Sequence, residues 1–197
     1  MLINDKEHLH YVQMNSDNSN CVIKFQKYED IDININKEAK TLLQINFPNI
    51  IRVRDCFKRK NGAGTVLEYC KGKDLADKLK KCGPMPEEHC YKLFVHLALA
   101  IKKIHDLGMF HGKLDASNVL LKNEQRSSIF GQLAKISGFT YSPGEVVCNK
   151  HYLPPEVLEG KEVDESADIW GLGVLLYVMA SGGKLPFKKA EAEAIRA

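Results

Sequence analysis

Residues 111–118 read H-G-K-L-D-A-S-N, and this octapeptide decides how the rest of the chain is interpreted. It brings a histidine, a lysine, an aspartate and an asparagine together directly after a long amphipathic stretch. Short motifs recur by chance, so one octapeptide is weak evidence by itself. Further short segments lie on both sides of it: C-V-I-K at 21–24, L-E-Y-C at 67–70, K-I-S-G-F-T at 135–140, L-P-P-E at 153–156 and D-I-W-G-L-G-V at 168–174. Their combination in this order is far more specific than any one of them.

Composition excludes several classes of protein. The 197 residues carry a net charge of +3, a field too weak to predict nucleic acid or a membrane as the main partner. The first residues, MLINDKEHLH, lack the apolar core of a signal peptide, and no apolar run is long enough to span a bilayer. Six cysteines are scattered without C-x-x-C spacing, which favours reduced thiols over disulfides or a metal site. These features predict a protein of the cytoplasm or the nucleus.

Hydrophobic patterning predicts strands first and helices after. The predicted elements, in chain order, are a hairpin of strands at 11–14 and 21–25, a helix at 34–44, strands at 50–57 and 65–69 joined by a turn at 58–64, and helices at 90–104 and 167–180. Pro84 and Pro86 precede the first long helix and Gly108 ends it, whereas the second long helix is apolar nearly all round and is predicted to be buried on every side. This order predicts an α+β protein with a β-rich part at 1–70 and a helical part at 71–197.

The quoted segments resemble the motifs of the protein kinase family. Residues 111–118 keep the frame of the kinase catalytic loop, H-R-D-L-x-x-x-N, and C-V-I-K resembles the strand whose lysine holds the phosphates of ATP. L-E-Y-C and the residues after it are similar to the hinge of serine/threonine kinases of the NIMA-related group. The resemblance covers about residues 11–187. It implies a two-lobed kinase-like fold, with a small β-rich N-lobe and an incomplete helical C-lobe that ends after helix F.

The resemblance also implies which residues would meet ATP. The residues that it assigns to the nucleotide site are Lys24, Glu38, Leu67, Glu68, Cys70, Asn118 and Leu120. In this assignment Lys24 holds the phosphates, Glu38 pairs with Lys24, and Leu67 is the gatekeeper beside the hinge. Two purely structural roles also remain open for these residues. The pair of Lys24 and Glu38 would serve equally as a structural salt bridge, and Asn118 would serve to satisfy backbone groups of its loop.

The departures from the family pattern fall on the groups that carry the chemistry. Lys113 stands in the place of the catalytic aspartate, and an ammonium that already carries its proton cannot accept one from an attacking hydroxyl. Gly138 stands in the place of the metal-binding aspartate, which leaves Asn118 as the only retained metal candidate. Nothing before Lys24 resembles the glycine-rich loop. We therefore expect no intact catalytic site, weak or no ATP binding, and no magnesium requirement.

Asp115 stands where serine/threonine kinases have a lysine that steadies the γ-phosphate, so its charge would repel that phosphate. It would replace the lost base only if the substrate hydroxyl came within hydrogen-bond reach, and a misplacement of about 1 Å costs about a hundredfold in rate. The preferred interpretation is that Lys113 and Asp115 are two solvated loop charges.

Three functions are compatible with this sequence. The preferred one is a pseudokinase, a kinase-like scaffold that binds partners or regulates an active relative without phosphoryl transfer. The others are an active serine/threonine kinase with an atypical site and a truncated kinase copy without a function.

The resemblance further implies that His111, Phe139 and Leu42 form a stack of side chains anchored on Asp168. That role is architectural and would survive the loss of the reaction.

The apolar helix at 167–180, which corresponds to helix F, predicts a protein interface. Only 29 residues follow Asp168, so the apolar side chains of this helix cannot all be covered by the helix at 90–104. We expect self-association, a partner over this face, or marginal stability. The candidate partners are an active kinase and a second copy of the chain; neither nucleic acid nor a membrane is expected as a partner.

Overall fold

The strands lie mainly in the first third of the chain and the helices in the rest, which confirms the predicted α+β class. The computed structural model describes residues 3–4, 9–14, 18–27, 42–122, 133–139 and 149–196. The chain divides into two units, Met1–Tyr69 with Tyr141–Glu145 and Cys70–Thr140 with Val146–Ala197. The helix predicted at 34–44 lies outside the described residues except for 42–44, which are helical.

The described strands of the first unit form one antiparallel sheet. These strands are β1 (Ile3–Asn4), β2 (Leu9–Gln13), β3 (Asn20–Lys27), β4 (Val53–Arg59) and β5 (Gly62–Glu68), in the spatial order β1-β2-β3-β5-β4. β2 and β3 pair with Val12 opposite Cys21, which confirms the predicted hairpin. β3 lies between β2 and β5 and is therefore hydrogen-bonded on both edges, a position that suits its run of β-favouring residues.

The connection between β4 and β5 is shorter than predicted. The predicted turn covered residues 58–64, but Arg59 pairs directly with Gly62, so only Lys60 and Asn61 form the turn. Gly64 belongs to β5 rather than to the turn, since it pairs with Phe57 of β4. A glycine is needed there because the Phe57 ring occupies the space that a side chain would fill. The prediction was wrong because it assigned a strand glycine to the loop.

The second unit is mainly helical. Its described elements are α1 (Leu75–Cys82), α2 (Glu87–His105), β6 (Val119–Leu121), β7 (Ala134–Ile136), α3 (Pro155–Leu158), α4 (Glu165–Ser181) and α5 (Ala192–Arg196), with single 3-10 turns at Ala116–Asn118 and Lys150–Tyr152. α2 follows Pro86 and contains the whole helix predicted at 90–104, whose apolar stripe is buried at Leu97, Ile101 and Ile104. Within the described part of the chain, no helix has the length and apolarity needed to cross a bilayer.

α4 has one buried and one exposed face, so the prediction that this helix is buried on every side is wrong. Leu175 and Met179 on one face are fully buried. On the opposite face, the side chains of Ile169, Leu176 and Tyr177 are 59%, 37% and 48% exposed. The helix is apolar all round in sequence, but the described elements of the second unit cover only one side of it.

Candidate functional site

The carboxylate of Asp168 fixes the start of the segment 111–118. Asp168 lies in the first turn of α4, is completely buried, and accepts hydrogen bonds from the backbone N–H groups of His111 at 2.7 Å and Gly112 at 2.8 Å. The Nε2 atom of His105, the last residue of α2, lies 2.9 Å from the same carboxylate. A buried carboxylate is tolerated when several donors surround it. The loop is therefore attached to two helices through one side chain.

His111 is held as a neutral imidazole. Its Nδ1 atom accepts a hydrogen bond from the backbone N–H of Lys113 at 3.2 Å, so Nε2 carries the proton and donates it to the carbonyl of Ser137 at 2.8 Å. Burial lowers the pKa of His111, partly opposed by the negative charge of Asp168. The ring also packs on Phe139, with centroids 4.7 Å apart, so the predicted contact between these two residues is present. Leu42 lies in the first unit, and its place in the stack stays a prediction.

Lys113 sits on a rigid part of the loop. Its backbone N–H is bound to His111, and its carbonyl accepts a hydrogen bond from Nδ2 of Asn118 at 2.8 Å. The residue lines a cleft of the second unit together with Asp115 and Tyr152. Its ammonium makes no ion pair within the described part of the chain. The hydrogen bonds thus fix the backbone of Lys113, the residue that the resemblance places where the family has its base.

Asp115 is a buried capping residue, so the expectation of a solvated loop charge is wrong for it. Its side chain is 7% exposed, and Oδ1 accepts hydrogen bonds from the backbone N–H groups of Ser117 at 2.8 Å and Asn118 at 3.1 Å and from the Ser117 hydroxyl at 2.5 Å. The physical reason is the 3-10 turn that follows, whose first N–H groups need an acceptor. Burial raises the pKa of the neighbouring Tyr152 phenol to about 12, with a smaller contribution from the charge of Asp115.

Gly138, which the resemblance assigns to the place of a metal-binding carboxylate, lies against the side chain of Asn118. Gly138 has a positive φ of 81°, and a Cβ atom added to it would overlap the side-chain amide of Asn118. That amide is itself fixed, because Nδ2 donates to the Lys113 carbonyl at 2.8 Å. The backbone carbonyl of Asn118, the residue before β6, accepts a hydrogen bond from the backbone N–H of Ser137, the residue before Gly138, at 2.8 Å. Asn118 thus takes the structural role that the sequence left open for it.

The other residues assigned to the nucleotide lie in both units. Lys24 is on β3 opposite Thr65, and Leu67 is on β5 opposite Val22. Glu68, at the end of β5, accepts a hydrogen bond on Oε1 from the backbone N–H of Arg52 at 2.8 Å. Cys70 and Leu120 belong to the second unit, where Leu120 lies on β6. Glu38 lies outside the described residues, so its pairing with Lys24 stays a prediction.

Sequence reasoning missed three contributors to this site. His105 binds Asp168, and the Ser137 carbonyl binds His111. Tyr152 binds the turn after Asp115. His105 carried a weak signal, because a histidine in the last turn of a helix is well placed to bind an acceptor. Ser137 contributes its backbone carbonyl, and a contact made by the backbone cannot be predicted from the residue type. Across the described residues, no cluster of three or more His, Cys, Asp or Glu side chains could hold a metal ion.

Comparison with known proteins gives a consistent result. The family model of the protein kinase domain matches residues 11–197. CBL-interacting protein kinase 21 of Oryza sativa subsp. japonica is 36% identical over 166 residues, which is 80% of this chain and 31% of that protein. The serine/threonine-protein kinase Nek11 of Homo sapiens is 30% identical over 152 residues, 75% of this chain and 24% of that protein. The chain spans about a third or less of the length of these curated relatives.

A solved structure supports the fold. The crystal structure of Rad53 residues 1–466 in complex with AMP-PNP superposes with a TM-score of 0.78 and covers 94% of this chain and 47% of its own. Sequence identity in that superposition is 24%, so the likeness concerns the fold alone. It confirms the predicted kinase-like architecture with a β-rich lobe and a helical lobe.

Proposed function

The chain belongs to the protein kinase family, and we propose that it is a member that does not transfer phosphate and acts by binding a protein partner. Kinase catalysis consists of positioning a phosphoryl group and stabilising its charge, so each missing charged group removes a definite part of the reaction. The proposal is a pseudokinase that keeps a kinase-like scaffold.

The observation that carries this proposal is the fixed position of Lys113. A general base must lie within hydrogen-bond reach of the hydroxyl whose proton it takes, and it must have a free lone pair. The Lys113 ammonium has none near neutral pH. Its backbone is bound on both sides, at the N–H by His111 and at the carbonyl by Asn118, so the loop has little freedom to present another group instead.

Asp115 is poorly suited to replace the missing base. Its Oδ1 atom already accepts three hydrogen bonds from Ser117 and Asn118. Turning this carboxylate toward a substrate would remove the acceptor of the N–H groups that open the following turn, and loss of such a cap costs about 1 kcal/mol. This geometry argues against an active kinase in which Asp115 serves as the base.

The residues present do not fit a magnesium ion between two phosphates. Magnesium prefers oxygen ligands, commonly one or two carboxylates with the phosphates of the substrate. Gly138 supplies no carboxylate, and Asn118, whose Nδ2 donates to the Lys113 carbonyl, would offer only the uncharged oxygen of its side chain. We therefore propose that ATP binds weakly or not at all, and that magnesium does not strengthen its binding.

The retained packing supports a role for the scaffold itself. Asp168 and His111 are hydrogen-bonded to each other's segment, to His105 and to the Ser137 carbonyl, and none of these bonds uses the Lys113 ammonium or a side chain at position 138. A domain that keeps its architecture without its chemistry still offers surfaces for other proteins. An active kinase is one candidate partner for such a surface, as expected from the resemblance.

A phosphotransfer assay tests the proposal. Purified chain is incubated with labelled ATP, with magnesium or manganese, and with generic protein substrates, beside a Lys24→Ala variant and an active kinase as positive control. We expect incorporation in the wild-type chain to equal the Lys24→Ala background. Incorporation that Lys24→Ala abolishes would show that the chain is an active kinase with an atypical site.

A further inference from the structure

The cleft that contains Lys113 is small and lies wholly within the second unit. It is lined by residues 112–115 on one side and by residues next to and within the 3-10 turn Lys150–Tyr152 on the other. Its volume is about 230 Å³, part of which is open to solvent. Sites for whole small molecules usually measure about 300–1,000 Å³, so this cleft has room for one side chain of a partner.

The carboxylates at this cleft already have hydrogen-bond donors. Asp115 is 7% exposed, and its Oδ1 atom accepts three hydrogen bonds from Ser117 and Asn118. Asp168, the residue after the cleft wall, is completely buried and accepts hydrogen bonds from two backbone N–H groups. Such donors offset the cost of burying a carboxylate. Neither carboxylate therefore depends on the Lys113 ammonium, which forms no ion pair with a described residue.

The remaining polar groups of the cleft are donors. The Lys113 ammonium carries three N–H donors and no acceptor. The phenol oxygen of Tyr152 accepts a hydrogen bond from the backbone of Ala116, and a pKa of about 12 keeps its own proton in place at neutral pH. Lys150, exposed on the same turn, adds positive charge beside the cleft. The group that complements this set is an anionic acceptor.

A carboxylate suits the cleft better than a phosphate. A phosphorylated side chain carries a charge of about −1.5 to −2 at pH 7, whereas a carboxylate carries one negative charge. The buried charge of Asp115 lines the same cleft and repels a doubly charged group about twice as strongly as a singly charged one. One ammonium, that of Lys113, is available within the cleft to balance the incoming charge, which matches one carboxylate.

We propose that the protein partner of this chain presents an aspartate or glutamate side chain to Lys113 in this cleft. The inference rests on the proposed function, because it names the chemistry of the partner that a chain without phosphoryl transfer binds at this place. In the family an aspartate here accepts a proton from a hydroxyl. With Lys113 the charge of the position is reversed, and so is the charge of the group that it recognises.

Peptide binding tests this preference. The purified chain is applied to immobilised peptides with randomised flanks and a fixed central residue, which is Glu, Gln, Lys or phosphoserine. We expect retention on the Glu peptides to be about five- to tenfold higher than on the Gln peptides, the gain of one partly shielded ion pair, and higher than on the phosphoserine peptides. Lys113→Glu should reverse the preference in favour of the Lys peptides.

A lysine outside the cleft provides the matched control. Lys80 is exposed on α1, and Lys80→Glu makes the same change of charge but should keep the preference for Glu peptides. Circular dichroism melting shows that the variants are folded. If Lys113→Glu is not, Lys113→Met replaces it and should remove the preference without reversing it.

Three results overturn the inference: no preference for Glu over Gln peptides, the same preference in the Lys113 variant as in the wild type, or stronger retention on phosphoserine than on Glu peptides. The phosphotransfer assay keeps this test separate from the proposed function. A chain that transfers no phosphate and shows no preference for Glu overturns this inference alone, whereas incorporation that Lys24→Ala abolishes overturns both.

Discussion

The segment 111–118 has two sides, which differ in how many features of the family motif they retain. On the side toward α4, the backbone of His111 and Gly112 binds Asp168 together with His105, and every donor meets an acceptor. On the other side lie Lys113 and Gly138, which the family resemblance assigns to the places of a base and of a metal ligand. The comparison shows that the hydrogen bonds that hold the loop in place do not depend on the charges that would drive a reaction. Changes on the two sides should therefore have separable effects.

Replacement of Asp168 should have the largest effect on stability. Asp168→Ala removes the common acceptor of two backbone N–H groups and of His105, all inside the second unit. Donors left unpaired in the interior should lower the free energy of unfolding by about 3–5 kcal/mol, measured by chemical denaturation. The matched control is Asp164→Ala, which removes the exposed N-cap of the same helix and should cost only about 1 kcal/mol. Equal costs for the two variants would contradict the anchoring role of Asp168.

Restoring a side chain at Gly138 should have the next largest effect. Gly138→Ala places a Cβ against the Asn118 amide and also imposes a side chain on a φ of 81°. Gly108→Ala is the matched control, since Gly108 has a φ of 68° but no described atom within 4 Å of the added Cβ. The positive φ alone should cost about 1–2 kcal/mol in both variants. We expect the extra loss at Gly138 to disappear when Asn118→Ala is added, as a double-mutant cycle would measure.

The pH dependence of stability should show the smaller effect of His111. Burial lowers the pKa of His111 in the folded chain below its ordinary value of about 6.5. As the pH falls through about 6.5, the unfolded chain binds a proton at this residue that the folded chain does not, so the free energy of unfolding decreases. The stability difference between wild type and His111→Gln should therefore shrink from pH 7.5 to pH 5.5. The same comparison with His96→Gln, an exposed histidine, should show no such trend. A His111 difference that stays constant with pH would refute the neutral, buried imidazole.

The sequence predicted most of the fold because its signals are local. The hairpin of β2 and β3 follows from alternating β-favouring runs, and α2 follows from an apolar stripe with a proline before it and a glycine after it. The anchoring residue Asp168 and the stack of His111 on Phe139 followed from the family resemblance, and the structure contains both. These features depend on residue type and order, which the sequence contains directly.

The features that sequence reasoning missed depend on which neighbours surround a residue. Asp115 was expected to be solvated, because nothing in its local sequence shows that Tyr152 lies beside it and that its carboxylate caps the next turn. Gly64 was expected in a turn, because only the position of Phe57 places it in a strand. The uniformly apolar sequence of α4 predicted incomplete cover but could not reveal which face the described second unit leaves exposed.

The affinity of the chain for ATP, measured by calorimetry with magnesium and again with EDTA, tests the central claim most directly. The account predicts weak or undetectable binding in both conditions, and no gain from magnesium, because the space beside Gly138 holds the Asn118 amide instead of a carboxylate. Asn118→Ala should leave this result unchanged. An affinity at least about tenfold higher with magnesium, lost in Asn118→Ala, would contradict the account, since it would mean that the side-chain oxygen of Asn118 holds a metal ion without a carboxylate at position 138.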